Sequence, residues 1–123
     1  MNAATASRIL LVDDLALVRR MIPMRLGALG REVDAVASAA EARDYLARQR
    51  PDLILLDVIM PGQDGLAFCR ELKADPAFRD IPVIILTDLA GNAHDRSLDA
   101  GAEDYMPKRI DDAALARLGR FAF

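Results

Sequence analysis

The chain has 123 residues, of which 53% are hydrophobic and 28% are charged, and its formal net charge is −3. This length fits one domain with a single continuous core, and the slightly acidic balance argues against direct binding of nucleic acid. The one cysteine, Cys69, excludes an internal disulfide and fits a reducing compartment. The amino terminus has no signal-like segment, and no apolar stretch approaches the roughly 18 residues that span a membrane. We therefore expect a cytoplasmic module without a membrane segment.

Apolar runs alternate with amphipathic stretches five times along the chain. The first strand, at residues 8–12, leads into a helix that is closed by Gly30. The residues that this helix is expected to bury are Val18, Met21, Ile22, Leu26 and Leu29. Residues 32–37 alternate as a second strand, and Ser38 with Glu41 forms a capping box that opens a helix ending near residue 49.

The third strand, at residues 53–56, is wholly aliphatic, which is typical of a central parallel strand covered on both faces. In the turn-rich loop that follows, Asp64 is expected to cap a helix that buries Leu66, Cys69 and Leu72. The remaining predicted elements are a strand at 81–87, a short helix at 93–100, a strand at 102–106, and a helix from about residue 111 with Leu115, Leu118 and Phe121 facing inward.

Five strand–helix units without an internal repeat or a long linker predict a single α/β domain. A parallel five-stranded sheet with helices on both faces is the architecture that such alternation favours. The handedness of crossover connections leaves few strand orders. The flavodoxin-like (βα)5 order 2-1-3-4-5 is the natural choice, and it places strands 1 and 3 at the switch point where ligands bind.

Polar residues stand at or just beyond the carboxyl ends of four of these strands: Asp13 and Asp14, then Asp57, Thr87 and Lys108. Because the carboxyl ends of parallel strands share one edge of the sheet, we expect these side chains to meet in one pocket. Taken singly, the aspartates could be helix caps or turn residues. Together, three carboxylates would repel one another without a cation, and they suit Mg²⁺. A lysine and a hydroxyl beside them predict a metal-dependent phosphoryl site.

Five motifs carry a resemblance to a known family. They are ILLVDD at 9–14, PDLILLD at 51–57, MPGQDG at 60–65, IPVIILT at 81–87 and GAEDYMPK at 101–108. With these motifs and their spacing, the chain resembles the receiver domains of two-component response regulators, including chemotaxis regulators. The resemblance implies a receiver domain at 8–121 after a flexible N-terminus at 1–7. Residues 122–123 would begin a linker or effector domain of a longer chain, with a stand-alone regulator as the alternative.

The resemblance also implies a chemistry for the acidic residues. Asp57 would accept a phosphoryl group from a phosphohistidine of a sensor histidine kinase or phosphotransfer protein. Mg²⁺ or Mn²⁺ would be ligated by Asp14, by Asp57 and by the backbone carbonyl of Ile59, with Asp13 reaching the ion through water. Such a protein is a signalling switch that catalyses its own phosphorylation and dephosphorylation, and it is not otherwise an enzyme.

The remaining implied roles concern the response to phosphorylation. Lys108 would contact one phosphoryl oxygen and the Thr87 hydroxyl another, and Tyr105 would be the switch aromatic that turns inward when Thr87 moves. The output would be a population shift on the face made by the fourth helix, the fifth strand and the fifth helix. That face would contact an effector domain, a partner protein or a second copy in a homodimer.

The sequence departs from the family at two positions beside the pocket. Arg109 follows Lys108 where the family has a proline after a cis bond, and Pro107 precedes the lysine instead. A cis bond before a non-proline residue costs about 3–4 kcal/mol, so we expect the bond between Lys108 and Arg109 to be trans. Asp88 stands beside Thr87 where the family usually has a small residue, and we expect its carboxylate to turn outward.

Three other functions share parts of this pattern. An aspartate-nucleophile phosphatase would carry Asp-x-Asp after the first strand, whereas this chain has adjacent aspartates. A flavin mononucleotide binder would need a Ser/Thr/Gly-rich phosphate loop at the same place. A phosphorylation-independent, receiver-like interaction module remains the alternative because of Asp88 and Arg109.

Other noticeable residues are expected to have structural roles. Cys69 should pack in the core, and His94 should lie on the surface of the fourth helix. Arg19 and Arg20 should form a solvated helix face, with partner docking near the pocket as the alternative.

Overall fold

The structure is a computed structural model that describes residues 8–60, 62–87, 93–108 and 111–118, without the side chains of residues 93–95 and 115. Its strands are β1 (Arg8–Val12), β2 (Glu32–Val36), β3 (Leu53–Asp57), β4 (Val83–Leu86) and β5 (Asp104–Met106). Its helices are α1 (Ala16–Gly27), α2 (Ala39–Leu46), α3 (Gly65–Ala74), α4 (Ala93–Asp99) and α5 (Asp112–Leu118). All neighbouring strands pair in parallel, in the order β2-β1-β3-β4-β5. The predicted fold class and strand order are confirmed.

The core has two layers because successive strand residues point to opposite faces of the sheet. Leu10, Ile54 and Ile85 belong to the layer that also contains buried residues of α2 and α3. Leu11 and Leu55 belong to the opposite layer, which contains buried residues of α1 and α5. The central strand β3 is buried along its whole length, as its aliphatic sequence predicts.

Two helix starts follow the predicted capping chemistry. The side chain of Ser38 accepts a hydrogen bond from the amide of Glu41 at 3.1 Å, and Glu41 Oε1 accepts one from the amide of Ala37 at 3.0 Å. Asp64 Oδ1 accepts from the amide of Leu66 at 2.7 Å at the start of α3. These caps supply acceptors for amides that have no partner within the helix.

The predicted buried stripe of α1 is partly wrong. Val18, Ile22 and Leu26 are buried, but Met21 is 36% exposed and Leu29 is 55% exposed. The buried residues repeat every four positions, so Met21 lies on the flank of the stripe. Leu29 lies beyond the end of the helix, in a turn that precedes Gly30 with φ +80°.

Several other predictions concern element ends or lie outside the described residues. α2 ends at Leu46 and not near residue 49, and β4 and β5 are shorter than predicted. Of the residues predicted to face inward in the last helix, Leu118 is buried. The side chain of Leu115 lies outside the description, and so do the termini at 1–7 and 119–123, which include Phe121. Within the described part of the chain, no helix is long and apolar enough to cross a membrane.

Candidate functional site

Three carboxylates meet at the carboxyl edge of the sheet. Val12 pairs with Leu56 across β1 and β3, so the residues that follow them, Asp13 and Asp57, come side by side. Carboxylate oxygens of these two residues and of Asp14 all lie within 4.8 Å of one another. The predicted proximity of the three aspartates is therefore confirmed, while their roles remain predictions.

The two inner carboxylates are buried and incompletely satisfied. Asp13 is fully buried and Asp57 is 2% exposed, whereas Asp14 is half-buried. Asp13 Oδ1 accepts a hydrogen bond from the amide of Leu15 at 2.9 Å. Asp57 Oδ2 accepts no hydrogen bond from any described residue, and neither does Asp13 Oδ2, although the Lys108 ammonium forms an ion pair with it at 3.3 Å. Buried polar atoms are usually paired because an unmade hydrogen bond is costly, so these oxygens are suited to a further positive ligand.

Lys108 is the cation that the described residues place among these carboxylates. Its Nζ lies 3.1 Å from Asp57 Oδ1 and 3.3 Å from Asp13 Oδ2, and its side chain is 15% exposed. Burial by itself lowers the pKa of Lys108, but the hydrogen bond to Asp57 and the charge of Asp13 outweigh it, so the pKa is raised. Lys108 therefore stays protonated and points into the pocket.

The surroundings of Asp57 oppose its ionisation. Burial raises the pKa of Asp57 to about 6, and the charge of Asp13 acts in the same direction, while the hydrogen bond from Lys108 opposes both. At neutral pH this carboxylate is largely ionised in surroundings that disfavour its charge. Additional positive charge near it would therefore be favourable.

Thr87 directly follows β4, and Tyr105 lies on the neighbouring strand β5. Asp57 pairs with Leu86 across β3 and β4, so Thr87 comes one position further toward the pocket. Thr87 is 5% exposed, and its amide donates to the carbonyl of Met106 at 3.0 Å. Tyr105 is half-buried on β5 and pairs with Ile85. The two residues are thus carried by adjacent strands.

Of the other predicted site residues, the described part of the chain includes Ile59. Ile59 follows Asp57 by two positions and is 65% exposed, and the role of its backbone carbonyl remains a prediction. Asp88 and Arg109 lie outside the described residues, and so does the bond between Lys108 and Arg109.

Gly65 shapes the site in a way that the sequence analysis missed. Its amide donates to the carbonyl of Val58 at 2.6 Å, and a Cβ built on it would lie 1.8 Å from the carbonyl oxygen of Asp57. Only glycine allows the start of α3 to approach the end of β3 so closely. The available signal was the second glycine of the MPGQDG motif, where a glycine follows a capping aspartate at the first position of a helix.

Arg19 is also placed differently from the prediction. It is half-buried, and its Nη1 donates to the carbonyl oxygen of Asp13 at 3.0 Å. The expectation of a solvated helix face is therefore wrong for Arg19. The contact ties α1 to the turn that carries the acidic pair, which only the folded turn brings within reach.

Comparison with known families and curated proteins gives a consistent result. Residues 9–118 match the family model described as the response regulator receiver domain. The response regulator PleD of Caulobacter vibrioides is 45% identical over 112 residues, which are 89% of this chain and 24% of PleD. The response regulator MprA of a Mycobacterium species is 42% identical over 114 residues, which are 90% of this chain and 48% of MprA. The chain thus spans between a quarter and a half of the length of these relatives.

Solved structures resemble the whole described fold. The receiver domain of a signal transduction histidine kinase from Syntrophus aciditrophicus has a TM-score of 0.85 and 39% identity, with coverage of 94% of this chain and 89% of that one. The receiver domain of the sensor histidine kinase PA1611 from Pseudomonas aeruginosa has a TM-score of 0.80 and 36% identity, with coverage of 93% and 94%. The PA1611 structure has a magnesium ion coordinated in its active site cleft.

Proposed function

The chain belongs to the response regulator receiver domain family, and on this premise we propose that it is a phosphorylation switch whose acceptor is Asp57. The donor is a phosphohistidine of a sensor histidine kinase or phosphotransfer protein. One observation carries the proposal: three carboxylates and one lysine converge at the carboxyl edge of the sheet, and a buried oxygen of Asp57 accepts no hydrogen bond from the described residues. A purely structural cluster would pair that oxygen.

The donor set fits a small divalent cation. Carboxylate oxygens are the ligands that Mg²⁺ prefers, and the three aspartates hold an excess of negative charge over Lys108 alone. Asp13, Asp14 and Asp57 are the side chains that hold Mg²⁺ or Mn²⁺ in this proposal, together with the carbonyl of Ile59. Such a cation supplies positive charge that neutralises the carboxylates and the incoming anionic group. The magnesium ion in the similar PA1611 receiver domain supports this assignment.

The residues of the chain perform the transfer by positioning and electrostatics. A carboxylate oxygen of Asp57 attacks the phosphorus, the phosphorus–nitrogen bond of the phosphohistidine breaks, and the imidazole leaves. The product is an aspartyl phosphate. Lys108 Nζ lies 3.1 Å from Asp57 Oδ1, which is close enough for the ammonium group to contact a phosphoryl oxygen after the transfer. The Thr87 hydroxyl donates a hydrogen bond to another phosphoryl oxygen.

The output follows from the position of Thr87 next to β5. When the Thr87 hydroxyl moves toward the phosphoryl group, it leaves room that Tyr105 enters from the adjacent strand. This shifts the populations of two arrangements of the face made by α4, β5 and α5. That face is the proposed contact for an effector domain, a partner protein or a second copy of the chain.

Intact mass spectrometry after incubation with acetyl phosphate and Mg²⁺ tests the proposal. The wild type is expected to gain one phosphoryl group, and so is Asp80→Asn, which changes an exposed aspartate away from the pocket. Asp57→Asn and the wild type with a chelator are expected to gain none. A folded wild type that gains nothing from acetyl phosphate or from phosphohistidine donors would favour the phosphorylation-independent interaction module instead.

A further inference from the structure

The side chain of Arg117 joins α5 to β5 at the proposed switch residue. Arg117 Nη2 donates to the carbonyl of Tyr105 at 2.6 Å. Its Nε donates to Asp104 Oδ2 at 3.2 Å, and Nη2 also donates to Asp104 Oδ1. The guanidinium carbon lies 5.9 Å from the centre of the Tyr105 ring. One arginine thus contacts the carboxylate, the backbone and the aromatic ring of two consecutive residues.

This arrangement is more specific than a surface ion pair. The side chain of Asp104 is 16% exposed and that of Arg117 is 35% exposed. Asp104 Oδ1 also accepts a hydrogen bond from the amide of Tyr105 at 2.8 Å. The two-point contact orients the guanidinium plane, and an arginine held in this way can also bind an aromatic face.

We propose that Arg117 is a positioning residue that holds the Tyr105 ring in its observed half-buried place and so restrains the switch before phosphorylation. The proposal rests on the function proposed above, in which Tyr105 turns inward. A residue biases a two-state equilibrium only through contacts that differ between the states. The contacts of Arg117 with Asp104 and with the carbonyl of Tyr105 survive a rotation of the tyrosine side chain, but the contact with the ring does not.

The size of the effect follows from that difference. An arginine on an aromatic ring at a partly exposed site changes an equilibrium by about threefold. Loss of Arg117 is therefore expected to raise the ratio of inward to outward Tyr105 by about threefold in the unphosphorylated protein. The alternative is that Arg117 is only a structural link between α5 and β5, which would change stability and leave the Tyr105 equilibrium unchanged.

The two tyrosines of the chain, Tyr45 and Tyr105, make this equilibrium measurable. Protein labelled with 3-fluorotyrosine is expected to give two ¹⁹F resonances, which Tyr45→Phe assigns. The variants are Arg117→Gln, Arg117→Lys and Asp104→Asn, and the matched control is Arg70→Gln, which changes an exposed arginine on α3. Each is measured before and after incubation with acetyl phosphate and Mg²⁺, and intact mass is recorded for the same samples.

The expected result is a movement of the Tyr105 resonance in unphosphorylated Arg117→Gln toward its position in the phosphorylated wild type. The Tyr105 resonance of Arg117→Lys is expected to lie between those of the wild type and Arg117→Gln, because lysine keeps the positive charge but lacks the planar guanidinium group. Asp104→Asn is expected to move in the same direction as Arg117→Gln, because it loosens the arginine. The Tyr45 resonance and Arg70→Gln should not move.

The failures of the two proposals are distinguishable. If the wild type gains a phosphoryl group but the Tyr105 resonance of Arg117→Gln stays at the wild-type position, the restraint by Arg117 is wrong and the proposed function stands. If the wild type gains a phosphoryl group but its Tyr105 resonance does not move, the proposed inward turn of Tyr105 is wrong and the restraint by Arg117 fails with it, while Asp57 as the acceptor stands. If the mass shows no phosphoryl group on folded wild type, the proposed function fails, and the restraint of a phosphorylation switch fails with it.

Discussion

The two ends of β1 each hold a cluster of charged side chains, and the clusters differ in how completely their charges are paired. Arg8, at the amino end, donates to Glu32 at 2.6 Å and to Asp34 at 2.9 Å. Asp34 also accepts from the Tyr45 hydroxyl at 2.6 Å. Asp13, directly after the carboxyl end of β1, joins a buried cluster in which Asp57 Oδ2 accepts no hydrogen bond from the described residues.

This difference distinguishes a structural cluster from the cluster that we propose to be functional. At the amino end the hydrogen bonds from Tyr45 and Arg8 outweigh the effect of burial and lower the pKa of Asp34. At the carboxyl end burial raises the pKa of Asp57 to about 6. The cluster around Asp34 stabilises its charges through contacts within the folded chain. In the cluster around Asp57, a negative charge is left incompletely compensated by the fold, and a positively charged ligand can compensate it.

The largest expected effect is that of a side chain at Gly65. Gly65→Ala would place a Cβ against the Asp57 carbonyl, which lies 1.8 Å from the ideal Cβ position. The backbone must shift, so we expect a loss of about 3 kcal/mol in the free energy of unfolding, measured by urea denaturation. The matched control is Gly27→Ala, where nothing lies within 4 Å of the added Cβ, and it should be neutral or slightly stabilising. A small effect of Gly65→Ala would mean that the loop after β3 adapts freely.

The next effect is that of Mg²⁺ on stability. At about 100 times its dissociation constant, a ligand of the folded state adds about 2.7 kcal/mol to the free energy of unfolding. We expect this gain for the wild type and for Asp34→Asn, which alters only the amino-end cluster. Asp13→Asn should lose most of it. An equal gain in all three proteins would show that Mg²⁺ acts elsewhere than in the acidic pocket.

Asp57→Asn should stabilise the protein when a chelator removes divalent cations. Because the folded pKa of Asp57 is raised from 3.8 to about 6, folding favours the protonated carboxyl. The stabilisation that the protonated Asp57 carboxyl gives to the folded state is fully present below pH 4 and is lost as the pH rises through 6. At pH 8 the variant is therefore expected to be more stable by about 2 kcal/mol after allowance for solvent screening, and the difference should vanish near pH 4. Asp80→Asn is the matched control, and a loss of stability in Asp57→Asn at pH 8 would contradict this prediction.

The smallest expected effect on the free energy of unfolding is that of a change in the cluster at the amino end of β1. It is a loss of stability, whereas Asp57→Asn is expected to give a gain. Tyr45→Phe removes the hydrogen bond to Asp34 and should cost about 1 kcal/mol at pH 7. The folded pKa of Asp34 is lowered from 3.8, so this contribution is present above pH 4 and is lost as the pH falls through the folded value. A double-mutant cycle with Asp34→Asn measures the coupling between the two side chains. A cost that persists unchanged at pH 2.5 would mean that Tyr45 stabilises the fold by other contacts.

Burial raises the pKa of Tyr45 to about 12, and the hydrogen bond to Asp34 acts in the same direction. The neutral phenol is favoured in the fold, so its contribution is present below pH 10 and is lost as the pH rises toward 12. The cost of Tyr45→Phe should therefore shrink at both extremes of pH. The benefit of Asp57→Asn shrinks only at the acidic one.

Local patterns were sufficient for the fold and for the members of the acidic cluster. Alternation of apolar runs predicted the strands, and the handedness of crossover connections left few strand orders, of which the flavodoxin-like one was chosen. The position of each aspartate after a strand predicted that the three would meet. The patterns were less reliable where a helix ends or rotates, as Met21 and Leu29 show. Periodicity predicts which face is apolar, but the width of the buried stripe depends on the neighbours that pack against it.

The sequence by itself thus determined the architecture and the edge of the sheet where chemistry can occur, because strand direction and side-chain alternation follow from local residue order. Only the tertiary structure decided which groups touch there. The sequence predicted that Lys108 meets Asp13 and Asp57, but not that it forms ion pairs with both. Nor did it predict the contact of Gly65 with the Asp57 carbonyl or that of Arg117 with Tyr105. Contacts of this kind depend on how distant parts of the chain pack against each other, and a local sequence pattern does not contain that information.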